Sequence, residues 1–382
     1  MKAKIHRHLN GPSPAPIRIL TAVPICDGHD SAILTINLEL VHAGMEVIYL
    51  GYHRSVRDIV RAAIQEDVRA IGLSSYNGGH VEFFSEILVA LKREGAGHVR
   101  LFGGGGGTIT SADSAILKRR GADEIFFAGT PLLRIVDFVK GRYGKAATVR
   151  RHHRGTRSSF DLELARRLSN PGTGMKRPAA RIQSATWVVG IAGPGGAGKS
   201  TLIDELALRF LKAQPRGRLA ILSHDPSAPR RGALLGDRAT MVYAQNDRIF
   251  MRSAATRGHS GGLAKGTRGW LQSFRGCGFD VLLVETAGIG QEDSPFARGL
   301  VDRQVLVLSP DYGGKLQLQK IAMLDTADVI VINKADRPGA RTALAEVGQR
   351  LEMNEAGQRL LSTVAKRHAD AGVDQLFREI SA

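Results

Sequence analysis

Short apolar runs alternate with amphipathic stretches along the first third of the chain. The amphipathic stretches repeat their hydrophobic residues at helical spacing, whereas the apolar runs are short and rich in β-branched residues. Strands that alternate with helices in this way form parallel sheets with helices on both faces. The predicted strands are 17–23, 46–50, 70–74, 99–102 and 124–127, and the predicted helices are 31–43, 55–66, 80–94, 111–120 and 131–142.

The same alternation returns near residue 182. An apolar run at 186–192 is followed by an amphipathic stretch at 202–211, and further apolar runs occupy 219–222, 281–284 and 329–332. We therefore predict two α/β domains with doubly wound parallel sheets, at 17–140 and 182–382. A basic tail (1–16) precedes them, and a basic linker (141–181) with one short helix at 160–168 joins them.

The segment Gly193-Pro-Gly-Gly-Ala-Gly-Lys-Ser-Thr201 fits the phosphate-loop pattern G-x-x-x-x-G-K-[ST] between a predicted strand and a predicted helix. Its glycines allow backbone N–H groups to surround phosphate oxygens, and the helix dipole favours the anion. Lys199 is expected to reach the β- and γ-phosphates, and Ser200 to bind Mg²⁺. The predicted nucleotide-binding residues here are Gly193, Gly196, Ala197, Gly198, Lys199, Ser200 and Thr201.

Polar residues follow two later strands of the second domain. Glu285 follows the run at 281–284, where an acidic residue can hold Mg²⁺ or orient the attacking water. Asn333-Lys-Ala-Asp336 follows the run at 329–332 and fits N-K-x-D, whose aspartate accepts hydrogen bonds that guanine offers and adenine does not. In this order, the motifs predict GTP binding through Asn333, Lys334 and Asp336. Residues 362–365 are a candidate for the last guanine-contacting loop.

Three small, polar loops follow strands of the first domain. The first contains Cys26-Asp-Gly-His-Asp30, the second begins at Ser74, and the third is the glycine run 103–107. A glycine run after a strand allows a bulky ligand to approach the backbone. From the residues alone, His29 is either a polar residue of a helix-entering turn or a ligand at the mouth of a wide slot.

Charge and cysteine content indicate which classes of partner and which cellular compartment to expect. The net charge is +17, and the segment 140–181 holds twelve Lys or Arg residues against Asp161 and Glu163, so 12 − 2 = +10 lies there. We interpret it as a solvated linker or a surface for an acidic partner, and not as a nucleic-acid reader. Two cysteines, no membrane-length apolar run and no signal sequence predict a cytoplasmic protein without a membrane partner.

Residues 17–140 resemble the cobalamin-binding domains of coenzyme B12-dependent acyl-CoA mutases, whose signature is D-x-H-x-x-G, S-x-L and G-G. Ala32 stands at the last position of the first motif, and Tyr76 stands for the leucine. The resemblance implies a flavodoxin-like fold, bound adenosylcobalamin with its tail in the slot, and His29 as the lower axial cobalt ligand with Asp27 fixing its tautomer. The implied cofactor-binding residues are Asp27, Gly28, His29, Ser74, Tyr76, Gly105, Gly106 and Gly107.

Residues 182–382 resemble the metallochaperone-type GTPases that accompany methylmalonyl-CoA mutase, in particular the GTPase module of the fused isobutyryl-CoA mutases. Thr240 stands where that family has arginine, so either hydrolysis is slower or Arg238 substitutes for the missing residue. The resemblance implies a P-loop GTPase fold and GTP hydrolysis, with Lys199, Glu285 and Asp225 as catalytic residues. The implied Mg²⁺ residues are Ser200, Asp225, Asp237, Glu285 and Thr286.

Together these resemblances predict a cobalamin-binding GTPase that gates cofactor loading or protection for an acyl-CoA mutase. A substrate-binding (β/α)₈ barrel needs about 250 residues, and 382 − 336 = 46 follow Asp336, so we expect a separate barrel subunit. Cobalamin adenosyltransferase and a second copy of the chain are the other expected partners. The alternatives are a non-catalytic cobalamin sensor or adaptor with a GTP-binding switch, and a P-loop kinase.

Overall fold

A computed structural model describes residues 16–25, 27–29, 31–145, 157–170, 186–229, 231–288, 295–296, 299–312, 322–354 and 357–381. The basic tail up to residue 15 and most of the basic linker, including Arg150 to Arg154, lie outside the described residues. Cys26 and Asp30 of the histidine loop also lie outside them.

The N-terminal half forms a parallel sheet whose own strands follow the flavodoxin-like order β5-β4-β3-β1-β2. Its strands are buried over most of their length, because helices cover both faces. The predicted elements are confirmed within a few residues. The strands are β1 (Arg18–Ala22), β2 (Glu46–Tyr49), β3 (Ala70–Ser74), β4 (Arg100–Gly105) and β5 (Glu124–Phe127), and the helices are α1 (Ser31–His42), α2 (Val56–Gln65), α3 (His80–Arg93), α4 (Ser111–Arg120) and α5 (Leu132–Tyr143).

Local sequence signals set the ends of two of these helices. Ser55 caps α2 and exchanges hydrogen bonds with Asp58, and Thr110 caps α4 in the same reciprocal way with Asp113. Helix α4 ends at Gly121, whose φ of 119° lies in the left-handed region that favours glycine.

The C-terminal half forms a seven-stranded parallel sheet in the order β13-β12-β11-β6-β10-β7-β9. The phosphate loop follows its central strand β6, so ligands are expected at the carboxyl ends of β6, β7 and β10. The strands are β6 (Trp187–Ala192), β7 (Leu219–Asp225), β9 (Ile249–Ala255), β10 (Val281–Glu285), β11 (Arg303–Leu308), β12 (Val329–Asn333) and β13 (Arg359–Thr363); the helices are α7 (Lys199–Ala213), α8 (Asp237–Thr240), α9 (Thr267–Arg275), α10 (Ala340–Asn354) and α11 (Ala371–Ser381).

One short strand of the C-terminal half belongs to the N-terminal sheet. Strand β8 (Ala233–Leu235) pairs in parallel with β2, with Ala233 opposite Glu46 and Leu235 opposite Ile48. Ala233 and Leu235 are buried in the core of the N-terminal half. The sequence did not predict this crossing, because three residues carry no usable periodicity.

The linker helix also joins the two halves. Helix α6 (Arg157–Ser169) contains the predicted helix 160–168 and places Leu162 in the N-terminal core and Leu164 and Leu168 in the C-terminal core. Helix α6 and strand β8 both connect the halves, so the structure does not divide the chain at residues 140 and 182. These domain limits stay a prediction.

The glycine run is partly strand, which corrects the prediction that β4 ends at Phe102. Strand β4 continues to Gly105 and pairs with β3 and β5 through Gly104. A Cβ on Gly103 would collide with the Phe84 ring, and one on Gly104 would lie 2.6 Å from the Phe126 carbonyl oxygen. The glycines therefore allow close packing as well as ligand approach. None of the helices in the described part of the chain is long and apolar enough to cross a membrane.

Candidate functional site

Asp27 and His29 form a hydrogen-bonded pair beyond the carboxyl end of β1. Asp27 is fully buried, whereas 67% of the His29 side chain is exposed. Asp27 Oδ1 lies 2.8 Å from His29 Nδ1 and accepts a bond from the His29 backbone N–H at 3.0 Å. The Tyr76 backbone N–H donates to the other carboxylate oxygen. Because Nδ1 is engaged by Asp27, Nε2 is the ring nitrogen available to a metal.

The surroundings of Asp27 keep it ionised. Burial by itself raises the pKa of Asp27, but the backbone N–H groups of Tyr76 and His29, together with the His29 ring, bring the pKa below its usual value. An ionised carboxylate accepts a hydrogen bond from Nδ1–H, which leaves Nε2 as the imidazole nitrogen with a free lone pair.

Beside this pair, a cavity of about 380 Å³ opens between the sheet and the helices. Ala32 on α1 is one wall, which agrees with its place in the motif. A Cβ on Gly105 would collide with the Ser75 carbonyl oxygen, and one on Gly106 would collide with the Tyr76 ring. The wall includes four of the predicted cofactor residues, namely Ser74, Tyr76, Gly105 and Gly106.

The other two predicted glycines are not among the residues that line this cavity. Gly107 adopts a φ of +66°, which favours glycine, and nothing lies within 4 Å of a Cβ placed there. Gly28 separates Asp27 from His29, and a Cβ there would make only ordinary contacts with the His53 ring, at 3.8 Å. The packing of neighbouring residues therefore requires glycine at positions 105 and 106 but not at position 28.

The phosphate loop connects β6 to α7 and brings its predicted residues together. Gly193, Gly196 and Gly198 have positive φ angles of 149°, 75° and 91°. A Cβ on Gly193 would also collide with the Val307 carbonyl oxygen. Helix α7 begins at Lys199, so Lys199, Ser200 and Thr201 form its first turn, and Ala197 is buried beneath the loop.

Lys199 is buried inside the loop. Its Nζ donates to the carbonyl oxygens of Gly193 at 3.0 Å and Pro194 at 3.2 Å. Burial lowers the pKa of Lys199, although Glu285 and Asp237 act in the opposite direction. The ammonium group is thus held by weak carbonyl partners that a phosphate could replace.

The buried carboxylate of Glu285 and the half-buried one of Asp237 face the phosphate loop, and the half-buried Asp225 lies near them. Ser200 Oγ lies 2.8 Å from Glu285 Oε1 and 3.3 Å from Asp237 Oδ1, and Ser223 donates to both acids from β7. Burial, and then the charge of Asp237, raises the pKa of Glu285 to about 8. Burial raises the pKa of Asp237 too, and burial together with both neighbouring acids raises that of Asp225.

These acids are suited to a divalent cation. Asp225 Oδ2 and Thr286 Oγ1 are buried without a hydrogen-bond partner, and a bound cation would satisfy such oxygens. In the described residues, His, Cys, Asp and Glu side chains make no complete metal site of three or more. That is compatible with Mg²⁺, which keeps several waters and shares its coordination with substrate phosphates.

The N-K-x-D segment lies directly against the phosphate loop. Asn333 Nδ2 donates to the Ala197 carbonyl at 2.9 Å, and Lys334 donates to the Gly196 carbonyl. Asn333 Oδ1 accepts from Thr363 Oγ1 at 3.0 Å and from the Ala365 backbone N–H at 3.1 Å, so residues 362–365 adjoin the motif as predicted.

Asp336 is the residue of this motif that faces outward. It pairs with Lys366, and its pKa is lowered mainly by the hydrogen bond from Lys366. The carboxylate is therefore ionised and able to accept hydrogen bonds from a base.

Arg238 does not replace the family arginine, contrary to one of the two expectations. Its side chain is fully buried between the halves, where Nε donates to Glu66 Oε1 at 2.7 Å and Nη2 donates to Gln65 Oε1 at 3.1 Å. Thr240 is exposed, and its hydroxyl donates to the Asp237 carbonyl at 3.0 Å. In the described part of the chain, neither of these two side chains is therefore hydrogen-bonded to the phosphate loop.

Sequence reasoning missed two residues that support the site. Ser223 bridges Asp237 and Glu285, and its position two residues before Asp225 on β7 was the available signal. His224, which is buried, lies 2.7 Å from the Glu285 carbonyl and 2.8 Å from Thr267 Oγ1. Burial lowers the pKa of His224 to about 4, so this histidine is a neutral support for β10.

Comparison with known proteins agrees with this division of sites. A model described as B12 binding domain matches residues 17–136, and one described as methylmalonyl Co-A mutase-associated GTPase MeaB matches residues 175–382. Three relatives are named fused isobutyryl-CoA mutase. Those from Cupriavidus metallidurans and Nocardia farcinica are each 37% identical over 96% of this chain, and the one from Geobacillus kaustophilus is 36% identical over 94%.

The match covers only part of each relative. This chain spans 36% of the length of all three proteins, so their complete activity is not contained in the matched part. The family matches favour a GTPase over a P-loop kinase. The chain belongs to the methylmalonyl-CoA mutase-associated GTPase family MeaB, and it carries a B12-binding domain before its GTPase domain.

Proposed function

We propose that this chain binds adenosylcobalamin in its N-terminal half and hydrolyses GTP in its C-terminal half, so that GTP gates loading or protection of the cofactor for an acyl-CoA mutase. The observation that carries the proposal is the buried Asp27 paired with the exposed His29, whose ring centroid lies 5.4 Å from that of Tyr76, a residue that lines the 380 Å³ cavity. A histidine held in this way is suited to bind one axial position of a metal.

In the cofactor domain, His29 Nε2 is the proposed cobalt ligand and Asp27 the residue that fixes its tautomer. When bound, adenosylcobalamin supplies the radical chemistry of the rearrangement. The chain's own residues bind and orient the cofactor. The cavity would hold the tail of the cofactor, because the small residues Ala32, Ser74, Gly105 and Gly106 leave space beside Tyr76 in its wall.

In the GTPase domain, Lys199 is the proposed stabiliser of negative charge on the transferring phosphoryl group. Its present carbonyl partners, Gly193 and Pro194, release it when phosphate oxygens arrive. Mg²⁺ would be held by Ser200, with Asp225, Asp237, Glu285 and Thr286 around it, and would neutralise phosphate charge. Glu285 and Asp225 orient the attacking water. Asn333, Lys334 and Asp336 select guanine.

We further propose that a separate barrel subunit binds the acyl-CoA and that cobalamin adenosyltransferase and a second copy of the chain are additional partners. The protein is proposed to work in the cytoplasm. Acidic protein surfaces, which the charge of +17 attracts, are the partners we propose in preference to nucleic acid.

The test is a titration with adenosylcobalamin that follows the absorbance spectrum. The wild type is expected to show the shift from the base-on to the base-off, histidine-on form. His29→Ala is expected to lose this shift, whereas His42→Ala, which removes an exposed histidine at the end of α1, should keep it. An unchanged shift in His29→Ala would show that the cobalt assignment is wrong.

A second candidate function is a cobalamin sensor or adaptor that binds GTP without useful turnover. The exposed side chain of Thr240 in the arginine position, with Arg238 buried elsewhere, is the observation in its favour. Single-turnover measurement of GTP hydrolysis separates the two candidates, since a sensor would show the same rate in the wild type and in Lys199→Ala.

A further inference from the structure

A short segment after strand β8 touches both the nucleotide site and the cofactor domain. This segment, residues 236–240, is called here the aspartate segment. On one side, the Asp237 carboxylate lies 3.3 Å from Ser200 Oγ of the phosphate loop and accepts from Ser223. Immediately before it, β8 is hydrogen-bonded to β2 of the cofactor domain. The segment is therefore anchored in one domain while its acidic side chain lies in the other.

Arg54 of the cofactor domain holds the main chain of the aspartate segment. Its Nη2 donates to the carbonyl oxygens of Ala239 at 2.9 Å and Arg238 at 3.4 Å, while Nε donates to Leu50 at 2.5 Å. Gly51 also packs against this segment, because a Cβ there would lie 3.5 Å from the Ala239 Cβ. A planar guanidinium group can bridge two backbone segments in this way, which a lysine ammonium reproduces poorly.

The same Arg54 residue is joined to the histidine loop through its backbone. Its N–H donates to the Val23 carbonyl at 3.1 Å. The neighbouring His53 ring contacts the Ile25 carbonyl at 2.9 Å, and the Asp27 N–H donates to the Pro24 carbonyl at 3.0 Å. Val23 and Ile25 are thus held by the loop that carries Arg54. Pro24, which lies between them, accepts the bond from Asp27, whose carboxylate orients His29.

We infer that Arg54 is the positioning residue that couples the nucleotide site to the histidine loop, an inference that rests on the proposed gating of cofactor by GTP. Asp237 is half-buried and shares two serine hydroxyl partners with Glu285. A cation with phosphate bound at this site would replace repulsion between the two carboxylates by attraction. The aspartate segment therefore has different interaction energies in the empty and occupied sites, as a coupling element requires. Arg54 transmits a displacement of this segment to Val23 and Ile25.

The experiment measures adenosylcobalamin affinity twice, with Mg²⁺–GDP and with Mg²⁺ and a non-hydrolysable GTP analogue. We expect the two dissociation constants of the wild type to differ by about fivefold or more, the lower end for allosteric coupling. In Arg54→Gln the ratio should fall below about twofold, while each ligand still binds. Arg57→Gln is the matched control, since Arg57 also joins the halves, through Asp247, but does not touch the aspartate segment; its ratio should equal that of the wild type.

A second variant and a second readout keep the test decisive. Arg54→Lys retains the charge but cannot bond the carbonyl groups of Leu50 and Ala239 at the same time. Its ratio of the two dissociation constants should therefore also fall below about twofold. Hydrogen exchange of residues 23–29, measured without cobalamin, should respond to the GTP analogue in the wild type and not in either Arg54 variant. A wild-type ratio of one overturns the proposed gating itself. A wild-type ratio that survives in Arg54→Gln, or in Arg54→Lys if the former does not fold, overturns only the role of Arg54.

Discussion

Glu66 is the centre of the buried ion network between the two halves, and its replacement by glutamine tests whether they fold as one unit. It is fully buried, and its carboxylate accepts from Arg18 at 2.6 Å, from Arg238 at 2.7 Å and from the Ser253 backbone N–H at 3.1 Å. Arg252 lies 3.9 Å away. Glu66→Gln keeps the shape but leaves three buried guanidinium groups without this counter-charge.

The size of the effect follows from burial. Breaking a buried ion pair by removing one partner costs about 3–5 kcal/mol, because the remaining charge stays desolvated. With an unfolding entropy of about 2.1 cal/mol/K per residue over 382 residues, this lowers the melting temperature by about 4–6 °C if the chain unfolds as one unit. The exposed side of the pair between Arg57 and Asp247 supplies the control, since Arg57→Gln should cost no more than about 1 kcal/mol.

The pH dependence gives a second signature. Burial by itself raises the pKa of Glu66, but Arg238, Arg18 and Arg252 together hold it below its usual value. A carboxyl with a lowered pKa in the folded state stabilises the fold above its unfolded pKa, about 4.3, and loses this contribution as the pH falls through the folded value. The difference in melting temperature between the wild type and Glu66→Gln should therefore be largest at neutral pH and become smaller in acid.

Calorimetry at several pH values measures these differences. A single transition shifted by Glu66→Gln supports one cooperative unit. Two transitions, with neither moved by the substitution, would contradict the stability assigned to the network.

Three further predictions concern the two sites. Lys199→Ala should lower GTP turnover by at least about a hundredfold, the usual cost of removing one charge-stabilising donor; single-turnover hydrolysis measures this, and an unchanged rate would contradict it. Gly105→Ala should weaken cobalamin binding by about fivefold or more, as overpacking costs at least 1 kcal/mol, whereas Gly78→Ala, with nothing within 4 Å of its Cβ, should not. Mg²⁺–GTP should bind more tightly as the pH rises towards 8, because Glu285, with a pKa of about 8, must release its proton; calorimetry in buffers of different ionisation enthalpy should detect that proton.

The fold of each half was predictable because its strands and helices have clear periods and end signals. The capping pairs of Ser55 with Asp58 and of Thr110 with Asp113 are visible in the sequence, and both helices begin where these pairs predict. The extension of β4 to Gly105 was not predictable in this way. Glycine is usually depleted from strands, and only the packing of Phe84 against Gly103 explains why it is tolerated here.

The candidate sites were predictable where a local motif carries the chemistry. The phosphate loop, Asn333 and the pair of Asp27 with His29 lie at strand ends, as their motifs require. The connection between the sites was not predictable. Arg54 and Glu66 are separated by more than 180 residues from their partners Ala239 and Ser253, and such contacts depend on how the two sheets pack. The burial of Arg238 could not be predicted from the sequence for the same reason.

The most direct test of the central claim is the identity of the atom bound to cobalt. The protein is prepared with nitrogen-15 histidine, loaded with unlabelled cobalamin and reduced to the paramagnetic cobalt(II) state, and its electron paramagnetic resonance spectrum is recorded. If His29 binds cobalt, the triplet splitting that nitrogen-14 produces should become a doublet in the labelled protein. His29→Ala should show no splitting from a histidine nitrogen. A triplet that persists in the labelled wild type would show that the cofactor keeps its own base, and it would contradict the account.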